Sequence, residues 1–203
     1  NNYMDYFLRK FSDLNHREGR VLAFFNQQIL TNFDSSVSKH IDLEIGCGHG
    51  HWLNAYAQQN STRQCIGVDL NTKRIEKSNN KKFINDLNNL SFLKADANEF
   101  LEFKPKAIKF SRIFIFFPDP WPKTRHHKRR LIQEKFLEFL LYHTTPDAQI
   151  YFRTDHMEYL KWTKLIFEDS DSWNLAELPW PLEHNSFFQD LLPNYESLVA
   201  VRS

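Results

Sequence analysis

One ten-residue stretch limits the folds open to this chain more than any other. Ile41-Asp42-Leu43-Glu44-Ile45 reads as a short buried strand and runs directly into Gly46-Cys47-Gly48-His49-Gly50. The periodic segment from Trp52 to Gln59 then supplies a helix. Glycines at alternate positions let the backbone turn sharply and let another group approach it closely. Strand, glycine-rich turn and helix form the opening unit of a doubly wound α/β sheet.

The rest of the chain continues that alternation. Ile66-Gly67-Val68-Asp69 reads as a second strand, its Asp 19 residues after Gly50. A helix from Thr72 to Leu87 follows, with Thr72 or Asn71 as its N-cap. Leu90 to Ala95 and Ser111 to Phe117 are the third and fourth strands. The next helix, Lys128 to Tyr142, sets Ile132, Phe136, Phe139 and Leu140 on one face. Pro146-Asp147 makes a turn before a fifth strand, Gln149 to Phe152, which ends in Arg153-Thr154-Asp155. A helix from His156 to Phe167 comes next. Trp173, Trp180 and Phe187-Phe188 are set among prolines, and Leu198 to Val201 is a last short strand. Residues 1–40 read as a basic helical segment in which Val21 to Leu30 is apolar enough to dock on a core. Its charges, Arg9, Lys10, His16, Arg17 and Arg20, fit either a solvated covering helix or an extended anion-binding surface. The expected fold is therefore α/β and Rossmann-like, a doubly wound sheet with helices on both faces. Residues 41–203 form the main unit of a single domain, with a site along the C-terminal edge of the sheet.

Carboxylates recur where such a site should lie. A dinucleotide fingerprint, G-x-G-x-x-G, would need a third glycine at position 51, where His51 stands. Asp69 ends the second strand at the distance that suits two ribose hydroxyls, and Asp96 could accept an exocyclic amine of adenine. Cys47, His49 and His51 alternate, but on a turn that splays them apart with no fourth ligand nearby, so no metal is expected.

Phe116-Phe117-Pro118-Asp119-Pro120-Trp121-Pro122 closes the fourth strand. Proline removes backbone donors and keeps the preceding residue out of the helical region, so this is a stiff, exposed turn. Five of the eight residues from Lys123 to Arg130 are Lys or Arg. At the N-terminus of a helix they meet a partial positive charge, which implies an anion nearby. The charge of the whole chain is +1, but residues 1–167 carry 25 basic and 18 acidic side chains, a net +7. The stretch from Glu168 to Glu196 has seven carboxylates and no Lys or Arg. A basic body suits a polyanionic partner. Two cysteines point to reduced thiols and a cytoplasmic setting. No apolar run approaches the roughly 18 residues that span a bilayer, and no signal peptide opens the chain. The chain starts at Asn1 rather than Met, which leaves room for residues before it.

Glu44 with Gly46, Gly48 and Gly50 resembles the first motif of class I S-adenosylmethionine-dependent methyltransferases. The run Phe117-Pro118-Asp119-Pro120-Trp121, then Lys123, Arg125, His126 and Lys128 to Leu131, is similar to the signature of the bacterial tRNA (guanine-N7)-methyltransferase family. Asp96 and the Thr154-Asp155 pair fit as well, so the resemblance covers residues 41–165. It implies methyl transfer from S-adenosylmethionine to N7 of a guanine in tRNA. Glu44, Gly46, Gly48, Gly50, Asp69, Asp96 and Asp119 would line the cofactor site, with Asp119 also catalytic. Lys123, Arg125, Asp155, Tyr195 and Glu196 would meet the substrate. Asp69 departs from the Glu more usual there, and Tyr195-Glu196 keeps only part of the family's Thr-x-Phe/Tyr-Glu ending. The enzyme would be a monomer or homodimer. The competing readings are an exocyclic-amine nucleic-acid methyltransferase, suggested by the similar D-P-P-Y/W turn, and a diverged non-catalytic RNA- or protein-binding paralogue.

Overall fold

The computed structural model describes residues 14–30, 40–183 and 194–203. Arg9, Lys10, Phe187 and Phe188 lie outside the described residues. The strands are β1 (Ile41–Ile45), β2 (Gln64–Asp69), β3 (Leu90–Lys94), β4 (Phe110–Phe116), β5 (Thr144–Thr154), β6 (Trp173–Leu175) and β7 (Glu196–Arg202). The helices are α1 (residues 14–24, passing into a π-turn at Phe25–Ile29), α2 (His51–Gln59), α3 (Thr72–Ile84), α4 (Ala97–Phe103), α5 (Glu134–Leu141) and α6 (Met157–Glu168). A 3₁₀ helix at Thr124–Arg129 precedes α5.

One sheet holds all seven strands in the order β3-β2-β1-β4-β5-β7-β6. The first five run parallel, while β7 pairs antiparallel with both β5 and β6. The chain leaves β1 toward β2 on one side and reaches β4 on the other. This reversal opens a crevice beyond the carboxyl ends of β1 and β4. Side chains alternate across the strands. Ile41, Leu43, Ile45, Ile113 and Ile115 pack against α1, α4, α5 and α6. Cys65, Phe92, Phe114 and Tyr151 pack against Trp52, Leu53 and Tyr56 of α2 and Ile75 of α3. Helices therefore cover both faces.

Several elements differ from the sequence expectation, each for a local reason. The helix expected over Lys128–Tyr142 is two pieces: the 3₁₀ helix ends at Arg129, and α5 starts only at Glu134 with Gln133 as its N-cap. The cations thus avoid the positive end of α5, and Glu134 occupies its first turn, where a carboxylate is favoured. Ile132 is buried although it precedes the helix, and Leu137 fills the core position expected of Phe139, which is only partly buried. Asn71, not Thr72, caps α3, its side chain accepting from the Arg74 N–H at 3.2 Å, and the helix stops at Ile84 before left-handed Asp86. The Pro146-Asp147 turn is carried inside the longer β5, where Phe110 pairs with Thr144 but Arg112 pairs with Gln149. The three-residue β6 is too short to show a period.

The arginines of α1 make contacts within the molecule, although Arg20 stays exposed. Arg17 Nε donates to Glu99 of α4 at 2.9 Å, and Arg20 Nη2 donates to the Lys94 carbonyl at 3.0 Å. Val21, Phe24, Phe25 and Ile29 are buried beneath.

At the other end of β1, Asp42 is fully buried yet completely engaged. Its Oδ2 accepts from the Tyr56 hydroxyl at 2.8 Å, and both its oxygens accept from Arg63, at 2.5 and 2.7 Å. Arg112 donates to the same Tyr56 oxygen at 2.7 Å. Burial and the Asp42 charge both raise the Tyr56 pKa, so the hydroxyl keeps its proton for Asp42. Asp42→Ala leaves Arg63 and Tyr56 without this partner and is expected to cost about 3–5 kcal/mol, read as a lowered urea midpoint.

Candidate active site

The crevice beyond β1 and β4 holds a cavity of about 380 Å³. Glu44, Gly46, Gly48, Asp69 and Asp119 line it, with Trp52, Phe117 and Leu131 completing the wall.

The glycine loop is shaped by three left-handed residues, with φ of 73° at Gly46, 56° at Gly48 and 68° at Gly50. The N–H groups of Gly46 and Cys47 both donate to the Val68 carbonyl, at 2.8 and 3.0 Å, which folds the loop onto the end of β2. The glycines serve two purposes. A Cβ on Gly46 or Gly48 would meet nothing within 4 Å, so these face open space where a ligand can approach the backbone. A Cβ on Gly50 would sit 2.7 Å from Ser78 Oγ and 2.9 Å from Phe92, so Gly50 serves the packing of α2. Ser78 in turn donates to the Gly48 carbonyl at 3.1 Å.

Asp69 ends β2 beneath this loop. Its Oδ2 accepts from the Gly48 N–H at 3.0 Å, its Oδ1 from the Asn71 N–H at 2.8 Å, and Arg74 lies 3.6 Å away. Glu44 is different. It is 4% exposed, and its Oε2 has no hydrogen-bond partner among the described residues. Burial, and then the charge of Asp69, raise the Glu44 pKa well above the usual carboxylate range. Burial likewise pushes the Cys47 thiol up, with Glu44 and Asp69 adding to it. An unpartnered buried acid beside an open glycine cradle is a site made to receive a cation with hydrogen-bond donors. An S-adenosyl cofactor, with its ammonium and sulfonium, fits these residues.

Asp119 enters from the far side on a turn bounded by two left-handed aromatic residues, Phe117 at φ 49° and Trp121 at φ 45°. Such conformations for bulky side chains need support from their surroundings. The Phe117 N–H donates to the Arg153 carbonyl at 2.8 Å. Arg130 Nε donates to the Pro120 carbonyl at 2.7 Å and its Nη2 to Glu158 at 3.1 Å. The Arg130 guanidinium also lies over the rings of Tyr159 and Trp162, at 5.0 and 5.2 Å. Arg130 is 2% exposed, which corrects the expectation that the whole basic run faces an outside anion. Lys123, Arg125, Lys128 and Arg129 are exposed, although Arg129 covers one face of Trp121 at 5.0 Å.

The chain belongs to the tRNA (guanine-N7)-methyltransferase family. The family profile described as "Putative methyltransferase" matches residues 38–190. The tRNA (guanine-N(7)-)-methyltransferase of Mycoplasmopsis pulmonis is 32% identical over 178 residues, 87% of this chain and 85% of that protein. The protein of the same name from Corynebacterium jeikeium is 31% identical over 148 residues, 72% of this chain but only 57% of its own length. Among solved structures, the 16S rRNA methyltransferase KamB shares the fold with a TM-score of 0.63 at 18% identity, covering 86% of this chain and 94% of that one. Among the described residues no helix is long and apolar enough to cross a membrane.

Other residues of this methyltransferase lie off the cavity wall. Asp96 caps α4, accepting from the N–H groups of Asn98 and Glu99 at 2.9 and 3.1 Å, and it faces neighbouring grooves instead. Asp155 is exposed just past β5, and Glu196 pairs with Thr154 at the start of β7. Tyr195 meets Phe117 edge-on at 5.8 Å and lies 4.9 Å from the Arg153 guanidinium. Sequence reasoning missed Arg153 and Trp52. Arg153 binds Glu183 at 2.8 Å and Ser197 at 2.9 Å and lies 3.7 Å over Trp180. Trp52 donates to the Leu182 carbonyl at 3.0 Å. Trp52 could have been found as a large aromatic in the first turn after the glycine loop; Arg153 had only its place beside Thr154-Asp155.

Three substitution results follow from this geometry. Gly50→Ala must hold a left-handed φ, costing about 1–2 kcal/mol before the clash with Ser78 and Phe92 is added, and its denaturation midpoint is expected to fall accordingly. Arg130→Ala loses a charge-assisted hydrogen bond to the turn and is expected to cost about 2–3 kcal/mol. Arg129→Ala should stay within about 0.5 kcal/mol of the parent in the same assay.

Proposed function

We propose that this protein transfers a methyl group from S-adenosylmethionine to N7 of a guanine in tRNA, acting in the cytoplasm. The observation that carries the reading is the convergence on one cavity of Glu44, the glycine loop, Asp69 and Asp119, the last of them beside exposed cations.

S-adenosylmethionine supplies an electrophilic methyl group carried on a positive sulfur. Gly46 and Gly48 give its amino-acid end an approach to the backbone, and Glu44 supplies the opposing carboxyl. Asp69 is the acid for the ribose. Asp96 caps α4 through Oδ1 alone, so its Oδ2 is the oxygen for the adenine amine. Guanine N7 holds an in-plane lone pair and needs no deprotonation, so the chain's own task is alignment. Positioning of that kind can be worth on the order of 7–11 kcal/mol.

Asp119 meets the reacting pair, a role supported by its place on the turn that leads from the cavity into the exposed Lys123 and Arg125. A carboxylate suits the N1–H and N2–H₂ donors of guanine, a role open to Asp119 and Asp155. Lys123 and Arg125 take O6 or phosphate, and the contact of Tyr195 with the cavity residue Phe117 supports a substrate role for Tyr195 and Glu196. Arg129 occupies one face of Trp121, which supports a role for Trp121 as wall and leaves stacking to its other face.

The direct test is nucleoside digestion and mass spectrometry of tRNA incubated with protein and cofactor. N7-methylguanine is the expected product; N6-methyladenine without it would overturn the assignment. Asp119 is exposed, so Asp119→Ala is expected to lower turnover about a hundredfold or more while the denaturation midpoint stays in place. Neutralising Lys128 and Arg129 together should weaken tRNA binding and reduce its salt slope by about 2.

A further inference from the structure

Strand β1 presents two carboxyl groups on one buried face, and their surroundings are opposite. Asp42 receives three hydrogen bonds from Tyr56 and Arg63. Glu44, two residues on, has a buried Oε2 with no partner among the described residues. The Glu44 side chain lines the same cavity as Asp69, whose oxygens are already held by two backbone N–H groups with Arg74 beside them. A carboxylate in that position faces a like charge, and its Oε2 receives no hydrogen bond and is shut off from water. A carboxylic acid there has neither the charge to solvate nor the repulsion to bear.

We propose that Glu44 is a carboxylic acid in the free protein and a carboxylate in the cofactor complex, so that binding S-adenosylmethionine releases a proton from this residue. The inference rests on S-adenosylmethionine being the ligand of this cavity. The ligand brings a positive ammonium and a positive sulfonium into a site that otherwise holds negative charge. Either cation favours the ionised form of a carboxyl group near it. The O–H bond of Glu44 breaks, its electron pair stays on the carboxylate and the proton passes to buffer. The ligand's ammonium keeps its own protons.

Cys47 and His49 do not imitate this signal near neutral pH. Burial and the nearby carboxyls push the Cys47 thiol up, so it holds its proton throughout. Burial, with Lys77, Lys81 and Arg74, lowers the His49 pKa below its ordinary 6.5, so His49 has no proton to give at neutral pH. His51 of α2 and Asp119 from the turn after β4 also line the cavity, and both remain intact in the variant used below. Burial and the Asp69 charge act together to raise the Glu44 pKa. The sign follows from linkage. Below the raised value the free site must lose a proton to bind, so affinity strengthens as pH rises; above it, affinity levels off.

The test is calorimetry of S-adenosylmethionine binding to the full chain in phosphate and in Tris, whose ionisation enthalpies differ. Wild type is expected to release up to one proton per ligand, and its Kd to fall by up to about tenfold per pH unit on the rising limb. Glu44→Gln keeps the shape and removes the exchangeable proton; its binding should be weaker, buffer-independent and flat in pH. No release from wild type, or equal release from Glu44→Gln, overturns the proposal. A wild type that shows no cofactor binding overturns the cofactor reading itself, which is a separate result. If Glu44→Gln binds too weakly to titrate, infrared difference spectroscopy of wild type decides. Loss of a protonated-carboxyl band on adding cofactor supports the inference, and its absence overturns it.

Discussion

Burial of β1 on both faces is the constraint on which this structure turns. A central strand between β2 and β4 is normally apolar throughout, yet this one carries Asp42 and Glu44, both buried. Each buried carboxyl has to be answered by a partner, a proton or a ligand. At the start of the strand, Tyr56 and Arg63 answer Asp42 and tie α2 and the head of β2 to β1. At its end, no described residue answers Oε2 of Glu44, and the chain turns through glycines that leave room for a ligand. One strand therefore has a structural end and a binding end.

The opposite wall of the site depends on strain held in place from two directions. Left-handed aromatic residues cost on the order of 1–3 kcal/mol each, and Phe117 and Trp121 bracket Asp119. Arg130 anchors the turn to Tyr159 and Trp162 of α6, while the Arg153 carbonyl receives the Phe117 N–H. The Arg153 side chain gathers Trp180, Glu183, Tyr195 and Ser197 of the C-terminal region. One carboxylate of that acidic region is thus spent on an internal cation, which softens the repulsion toward RNA that its charge count suggests.

The strands and the glycine loop were readable because strand alternation and left-handed turns are local demands that particular residue types meet. Glu44, Asp69 and Asp96 were readable as a group because each lies at or just past the end of a parallel strand, and parallel strands end on one edge; Asp119 was readable from its proline-bounded turn. Other features were hidden for an equally physical reason. The basic run looked like one continuous helix because nothing local reveals that Arg130 is drawn inward by Glu158 and two aromatic rings of α6. Asp96 had the same appearance as the other acids, but its Oδ1 is taken by two N–H groups at the start of α4 and it lies off the cavity wall. Arg17 looked available to an anion until Glu99 of α4 supplied its partner.

By itself the sequence determined the order of the five parallel strands, the glycine turn and the acids at strand ends. Each depends on backbone conformations open to residues only a few positions apart. The tertiary structure decided which charges are available. Glu44 and Asp42 are chemically similar and two residues apart, yet only packing from α2 and β2 leaves one satisfied and the other waiting. Arg129 and Arg130 are adjacent, and only the position of α6 sends one outward and buries the other. Charge availability depends on burial and on partners distant in the chain, and no local pattern carries that information.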